Sequence, residues 1–213
     1  MFAVIFAVQP KPDQWEQYLD LAKQLRPELE RIEGFIENER FRSQRTAGRL
    51  LSLSIWANEK AVIRWRTQAM HHAAQERGRS DIFEDYHLRV GEITADSNVP
   101  HGQQLEQMRF DCTETGAAPV VSLVELSAPT LPGSLQAIGA AGVHDSEWFD
   151  HIATPGRRLF VVSWRDSAAA ETWLPPASLA DASCIRHRRV RVIRDYGLVD
   201  RREAPQFYPA VAR

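Results

Sequence analysis

The apolar positions change their period along the first ninety residues in a way that predicts a definite order of elements. Phe2 to Val8 is an apolar, β-rich run closed by Gln9-Pro10, which predicts a buried strand. Lys11-Pro12-Asp13 then opens a helix, with proline suited to the first turn and an acid near the positive end. Trp15, Leu19, Ala22, Leu25, Leu29 and Ile32 follow at three- and four-residue spacing and form one apolar stripe. Pro27 falls inside this run and is expected to kink it, and Gly34 stands where a left-handed cap is usual. Phe35 to Ser43 is a second strand and Arg45 to Gly48 a turn. In the third strand, Leu50 to Trp56, the alternation puts Leu51, Leu53 and Ile55 on one face and Ser52, Ser54 and Trp56 on the other. Asn58 has the chemistry of a cap for a second helix running to about Arg77, with Val62, Trp65, Ala69 and His72 along one stripe. A fourth strand, Phe83 to Ile93, sets Tyr86, Leu88 and Val90 opposite His87 and Arg89.

Strand, helix, strand, strand, helix, strand is the split βαβ, or ferredoxin-like, order, in which two helices cover one face of an antiparallel sheet and leave the other bare. The chain then repeats itself. GRLLSLSIWANEKAVIRW, Gly48 to Trp65, returns without a gap as GRRLFVVSWRDSAAAETW, Gly156 to Trp173, with six of eighteen positions identical. Asp166 takes the capping position of Asn58. Two such units can each bury the sheet face that the other exposes. The predicted fold is therefore α+β, two ferredoxin-like βαββαβ units packed sheet to sheet as an intrachain α/β barrel. The expected boundaries are a first unit over 1–94, a polar, turn-rich linker over 95–118 with Leu105 to Cys112 as a candidate extra element, and a second, degenerate unit over 119–213. In that second unit the first helix is shortened by the prolines and glycines of SAPTLPGSLQAIGAAG, and Pro175-Pro176 stops the second helix early. Nothing there matches QAMHHAAQERG, so the first unit has the fuller set of parts for a pocket.

Composition narrows the function. Of 213 residues, 26 are Lys or Arg and 28 Asp or Glu, so no overall field draws the chain to nucleic acid or anionic lipid. The apolar run at the start is too short for a signal peptide or a membrane span, and Cys112 and Cys184 stand far apart with no metal-like spacing, which together predict a reduced, cytoplasmic protein. The basic run Arg186 to Arg202 alternates arginine with Val190 and Val192, as an exposed-and-buried strand does, and lacks the interleaved aromatics of a base-stacking surface. There is no phosphate-cradling glycine loop, no Ser-His-Asp signature and no zinc-like histidine spacing, so neither a cofactor nor a metal is implied.

The strand FAVIFAVQP, the helix ending in RIEGFIENERF, the junction LLSLSIWANEKAVIRW, the helix carrying MHHAAQ and the strand FEDYHLRVGEI together resemble the antibiotic biosynthesis monooxygenase superfamily of dimeric α/β barrels. The likeness spans nearly all of residues 1–95 and is weaker beyond. It implies a cofactor-independent oxygenase, a haem-degrading enzyme or a small barrel of other function. Trp56 matches a tryptophan of the polyketide oxygenases, whose accompanying asparagine and tyrosine are replaced by Ser52 and Val62. Trp65 matches the tryptophan of the haem-degrading branch, but that branch's iron-binding histidine falls at Gln75. Glutamine is a poor axial ligand, so haem chemistry of that type requires His71 or His72 to substitute.

On this reading a small aromatic or quinol-like molecule is oxidised by molecular oxygen in the first unit. His72, seven residues beyond Trp65, is the pocket base; Phe41, Trp56, Trp65, His71 and Tyr86 shape the site. The same residues have bland readings: His72 as a half-buried histidine at a helix end, the two tryptophans as core, and Arg40 and Arg42 as a solvated strand face rather than a site for an anionic substrate. The alternative function is a barrel that binds a small hydrophobic ligand or haem without chemistry. Because one chain carries both units, it can close its own barrel as a monomeric pseudo-dimer, with a homodimer through outer faces left open.

Overall fold

Strand β1 (Phe2–Pro10) lies between β3 (Leu50–Trp56) and β4 (Phe83–Asp96), and β2 (Phe35–Ser43) pairs with the far edge of β3, all antiparallel, in a computed structural model that describes residues 1–127, 141–173 and 184–209. The order β4-β1-β3-β2 is repeated by β8 (Cys184–Gly197), β5 (Val120–Ser127), β7 (Arg157–Trp164) and β6 (Val143–His151). Two seams join the sheets. In one, Phe41, Arg42 and Ser43 of β2 face His151, Asp150 and Phe149 of β6; in the other, β4 runs along β8 from His87↔Gly197 to Asp96↔Arg188. The result is a closed eight-stranded barrel. Closure satisfies the strand edges that two merely stacked sheets leave open. The segment 97–119 that joins the halves contains neither helix nor strand, and the shortened helix expected within SAPTLPGSLQAIGAAG lies outside the described residues.

The period-2 pattern sorts side chains between two cores. Leu51, Leu53 and Ile55 point into the barrel with Ala3, Ile5 and Val190, while Phe2, Trp56 and Val90 point outward against the helices. Phe41 belongs to the inner set: it is fully buried in the barrel, edge-on to His151 with ring centroids 5.1 Å apart. Trp56 is equally buried, its indole Nε1 donating to Ser54 Oγ at 2.9 Å, and Trp164 in the other half donates to Ser122 Oγ at 3.1 Å. Both tryptophans are core, so the expectation that Phe41 and Trp56 shape a pocket is corrected.

A short 3-10 turn, Pro12–Gln14, leads into α1 (Trp15–Glu30), and Pro27 lies inside that helix, which continues past it. Gly34 has φ of 90°, and a Cβ there would come within 2.8 Å of Ala61 Cβ, so glycine is required both by conformation and by the approach of the next helix. The expected single second helix is two. Asn58 caps α2 (Glu59–Thr67) by accepting from Ala61 N at 3.0 Å, but the chain turns extended at Gln68, with ψ of 133°, before α3 (Ala69–Arg77) begins. The Gln68 side chain accepts from His71 N at 2.8 Å and caps the new helix. In the second half, Asp166 caps the short α4 (Ser167–Thr172).

The alternation read in β8 also needs correction. Arg186 and Arg188 lie on the same inward face as Val190 and Val192 and are buried. They survive there because they are paired. Arg188 meets Glu125 at 2.6 Å and also Glu37, Arg186 grips Asp96 at 2.6 Å, Arg157 joins Glu125 at 2.7 Å and Glu39 at 3.2 Å, and His151 reaches Glu39 at 2.8 Å. Burial alone would raise the Asp96 carboxyl, but Arg186, the Asn98 backbone N–H and Arg188 together hold the group below its ordinary range. This network closes one end of the barrel.

Candidate functional site

Between the outer face of the first sheet and helices α1 to α3 lies a cavity of about 220 Å³. Its floor follows from the strand alternation. Phe6 of β1, Asn38 and Arg40 of β2, Ser52 and Ser54 of β3, and Tyr86 and Leu88 of β4 all face outward. The roof is Tyr18, Leu25 and Leu29 from α1, Val62 and Trp65 from α2, and His71, Ala74 and Gln75 from α3. The second half supplies the rest: Arg194 and Tyr196 arrive along the β4–β8 seam, and Arg201, Gln206 and Tyr208 cross from the C-terminal segment.

Of the residues singled out in the sequence, Trp65, His71 and Tyr86 meet in this cavity, whereas His72, Trp56 and Phe41 are not in its lining. The exchange of His72 for His71 follows from the break at Gln68. A continuous helix would carry the stripe of Trp65 on to His72, but α3 starts in a new phase and turns His71 beneath the indole. The two rings stack with centroids 4.0 Å apart and planes 12° from parallel. His72 instead sits at the rim, its Nδ1 3.1 Å from the Tyr208 hydroxyl and its Nε2 3.6 Å from Glu76.

The state of His71 is set by its surroundings. Nδ1 lies 2.8 Å from the Trp65 carbonyl oxygen and 3.2 Å from Gln75 Nε2. A carbonyl can only accept, so the closer contact puts the ring proton on Nδ1 and leaves a lone pair on Nε2. Burial pulls the imidazole pKa down to about 4, with the Trp65 carbonyl opposing and His72 adding a smaller push. At neutral pH the ring is uncharged.

The other polar groups divide into spent and unspent. The Tyr86 hydroxyl accepts from Arg79 Nη1 at 2.9 Å and Arg201 Nη1 at 2.6 Å. Both guanidiniums also lie over the Tyr208 ring, at 5.1 and 5.3 Å from its centroid, and the Tyr208 hydroxyl donates to Gln75 Oε1 at 2.9 Å. Burial raises the phenols of Tyr18, Tyr196 and Tyr208, that of Tyr196 to about 12, so all three remain protonated. By contrast, Arg40 and Arg66 reach the cavity with buried Nε groups that have no partner. Arg40 otherwise bonds Tyr18. The bland reading of Arg40 as solvated is therefore replaced by a place in the cavity wall, while Arg42 is exposed.

Sequence reasoning passed over Asn38, whose amide donates to Ser52 Oγ at 2.8 Å and the Leu53 carbonyl at 3.2 Å, and the pair Arg66 and Tyr208. It also bears on haem. Gln75, at the position of the iron-binding histidine, has its amide nitrogen 3.2 Å from the Arg66 carbonyl and its oxygen taken by Tyr208, so it offers no ligand, and a space of about 220 Å³ is small for a macrocycle. Gln75 therefore does not serve as the axial ligand.

The antibiotic biosynthesis monooxygenase family profile matches residues 1–77. A protein of Pyricularia oryzae named jasmonate monooxygenase ABM is 42% identical over 98% of this chain and 99% of its own length. The chain belongs to the antibiotic biosynthesis monooxygenase family. The fold-level kin of this family member include crystal structures of aldoxime dehydratases. One, determined with butyraldoxime, has a TM-score of 0.56 at 11% identity over 90% of this chain and 79% of that one; another has a TM-score of 0.53. These are likenesses of fold alone. No helix among the described residues is long and apolar enough to cross a membrane.

Proposed function

We propose that this family member is a cofactor-independent monooxygenase acting in the cavity on a small, mainly apolar acid with an activated CH₂ group, in the chemical class of the jasmonate named for its Pyricularia relative. The observation that carries this reading is the company around one cavity: a neutral His71 in the roof, its Nδ1 engaged by the Trp65 carbonyl, with Arg40 in the floor and Arg66 in the lining, whose Nε groups have no protein partner. This reading puts an apolar acid in place of the aromatic or quinol-like substrate expected from the sequence. Unspent guanidinium donors in a low-dielectric pocket call for a carboxylate, which they bind in charge-assisted, planar geometry.

The chemistry follows from those parts. With the carboxylate held, His71 Nε2 removes a proton from the acidified carbon, and the imidazolium so formed is stabilised by the substrate anion beside it. The carbanion delivers electrons to dioxygen and a C–O bond forms. Loss of the second proton from the same carbon then releases water and leaves a carbonyl, so one oxygen atom stays in the product and the substrate supplies all four electrons. The Trp65 indole fixes the imidazole plane, and the apolar roof keeps water from the anion.

Oxygen uptake with jasmonate, its methyl ester, phenols, quinols and anthrones is the deciding experiment. Uptake with the free acid that falls tenfold or more for the ester and in Arg40→Met is expected. Binding of the acid without uptake would leave a ligand-binding barrel, and no response to any of these compounds would overturn both readings.

A further inference from the structure

The end of the barrel opposite the paired network holds a second chamber of about 290 Å³, separate from the cavity under the helices. It is lined by inward-facing residues of both halves, among them Arg49, His87, Arg89, Glu147, Ser163 and Asp195. Arg89 is only 8% exposed. Its Nη1 donates to Ser163 Oγ at 2.8 Å, its Nε has no partner, and it forms no ion pair among the described residues. Burial pulls its pKa down, with Asp195 the foremost of the charges opposing this, but a guanidinium does not give up its proton in a protein. An unpaired cation inside a barrel is costly, and the other end of this barrel resolves the same difficulty with protein carboxylates.

Here the carboxylates are already engaged. Asp145 lies 2.8 Å from Arg45 Nη1, Glu147 is 2.9 Å from Arg45 Nη2 and accepts from Ser43 at 2.5 Å, and Asp195 is 2.5 Å from His87. Counting Arg45, which pairs with two of these carboxylates from outside the lining, and leaving His87 and His144 aside, three guanidiniums stand against three carboxylates, while the hydrogen-bonding capacity is not balanced. Both oxygens of Asp145 and of Glu147 and Oδ1 of Asp195 are committed, and donors of Arg49 and Arg89 remain. A ligand that completes this set brings acceptors and little added charge. The wall is closely built on the side of the 113–119 segment: Gly116 lies so near Asp195 that a Cβ there would be 2.7 Å from its carboxylate.

From this inventory we infer that the chamber is a binding site for a small monocarboxylate, held by Arg49 and Arg89 within the barrel and independent of the cavity beside His71.

Isothermal titration with acetate and pyruvate, at ionic strength matched with chloride, tests this on the full chain. Millimolar or tighter binding is expected, weakened at least tenfold in both Arg89→Gln and Arg49→Gln and unchanged in Trp65→Ala, which alters only the other cavity. Should Arg89→Gln fail to fold, the more accessible Arg49→Gln decides. The inference is overturned by the absence of binding beyond the chloride control, by binding indifferent to both arginines, or by inorganic phosphate binding as tightly as the carboxylates, since a dianion does not suit a balanced field. A loss in Trp65→Ala would move the site to the helix-side cavity and likewise overturn it.

Discussion

The imidazole of His71 lies flat against the indole of Trp65, 4.0 Å between centroids, with its Nδ1 2.8 Å from the carbonyl oxygen of that same tryptophan. One residue thus fixes both the plane and the tautomer of the other. His71→Ala should lower kcat/KM by a factor of about 10²–10⁴, the usual contribution of a general base, while His72→Ala, at the rim, should stay within a few-fold of the parent. Equal losses in the two variants would remove His71 from its assigned role.

The pH dependence of turnover carries the same assignment in another form. With a pKa of about 4, His71 is in its basic form across the neutral range. The profile of kcat/KM, which reports the free enzyme, should therefore be level from pH 5.5 to 8 and fall only toward pH 4. An inflexion near 6.5 that vanished in His71→Gln would contradict the burial argument.

Stability should respond in the opposite sense to a paired histidine. The folded pKa of about 4 lies below the ordinary value of 6.5, so between these limits the unfolded chain takes up a proton that the folded chain refuses. Stability from this group is full above pH 6.5 and is lost as pH falls toward 4, by on the order of 3 kcal/mol at about 1.36 kcal/mol per pKa unit. Urea unfolding of the parent and of His71→Gln between pH 7 and 4.5 should show the shallower decline in the variant.

These expectations rest on a residue that the helical pattern misplaced, and the reason is physical. The strands were legible because their period of two survives in Leu51, Leu53 and Ile55, and the two-unit barrel because the tryptophans of Gly48–Trp65 return in Gly156–Trp173. The break at Gln68 was not legible, since no proline or glycine marks it and glutamine is an uncommon cap. Nor could any local pattern announce Tyr208, which meets Gln75 across more than half the chain, or tell that Arg186 and Arg188 face inward, because their carboxylate partners come from other strands.

Tyr208 gives a test of that long-range closure. Arg79 and Arg201 both lie over its ring, and its hydroxyl holds Gln75 beside His71. Tyr208→Ala removes two cation–π contacts and the hydroxyl's hydrogen bonds to Gln75 and His72, a loss of about 1–2 kcal/mol. KM should rise several-fold with a smaller change in kcat, because the segment walls the cavity without touching the base. Tyr208→Phe should restore most of the stability but not the hold on Gln75. An unchanged KM in the alanine variant would show that the segment does not close the site.

Arg188 is 1% exposed and joins Glu125, Glu37 and, at 3.6 Å, Asp96 at the sealed end of the barrel. Removing one member of such a set strands the others, so Arg188→Met should destabilise by about 3–5 kcal/mol. The cost arises from carboxylates left without a counter-charge rather than from lost packing, because methionine keeps much of the aliphatic stem. Adding Glu125→Gln to Arg188→Met should therefore recover part of the loss, which a pure packing defect would not allow. Denaturant unfolding of the two single variants and the double variant measures this directly: a double variant no more stable than Arg188→Met would mean that the network seals the barrel by shape and not by charge.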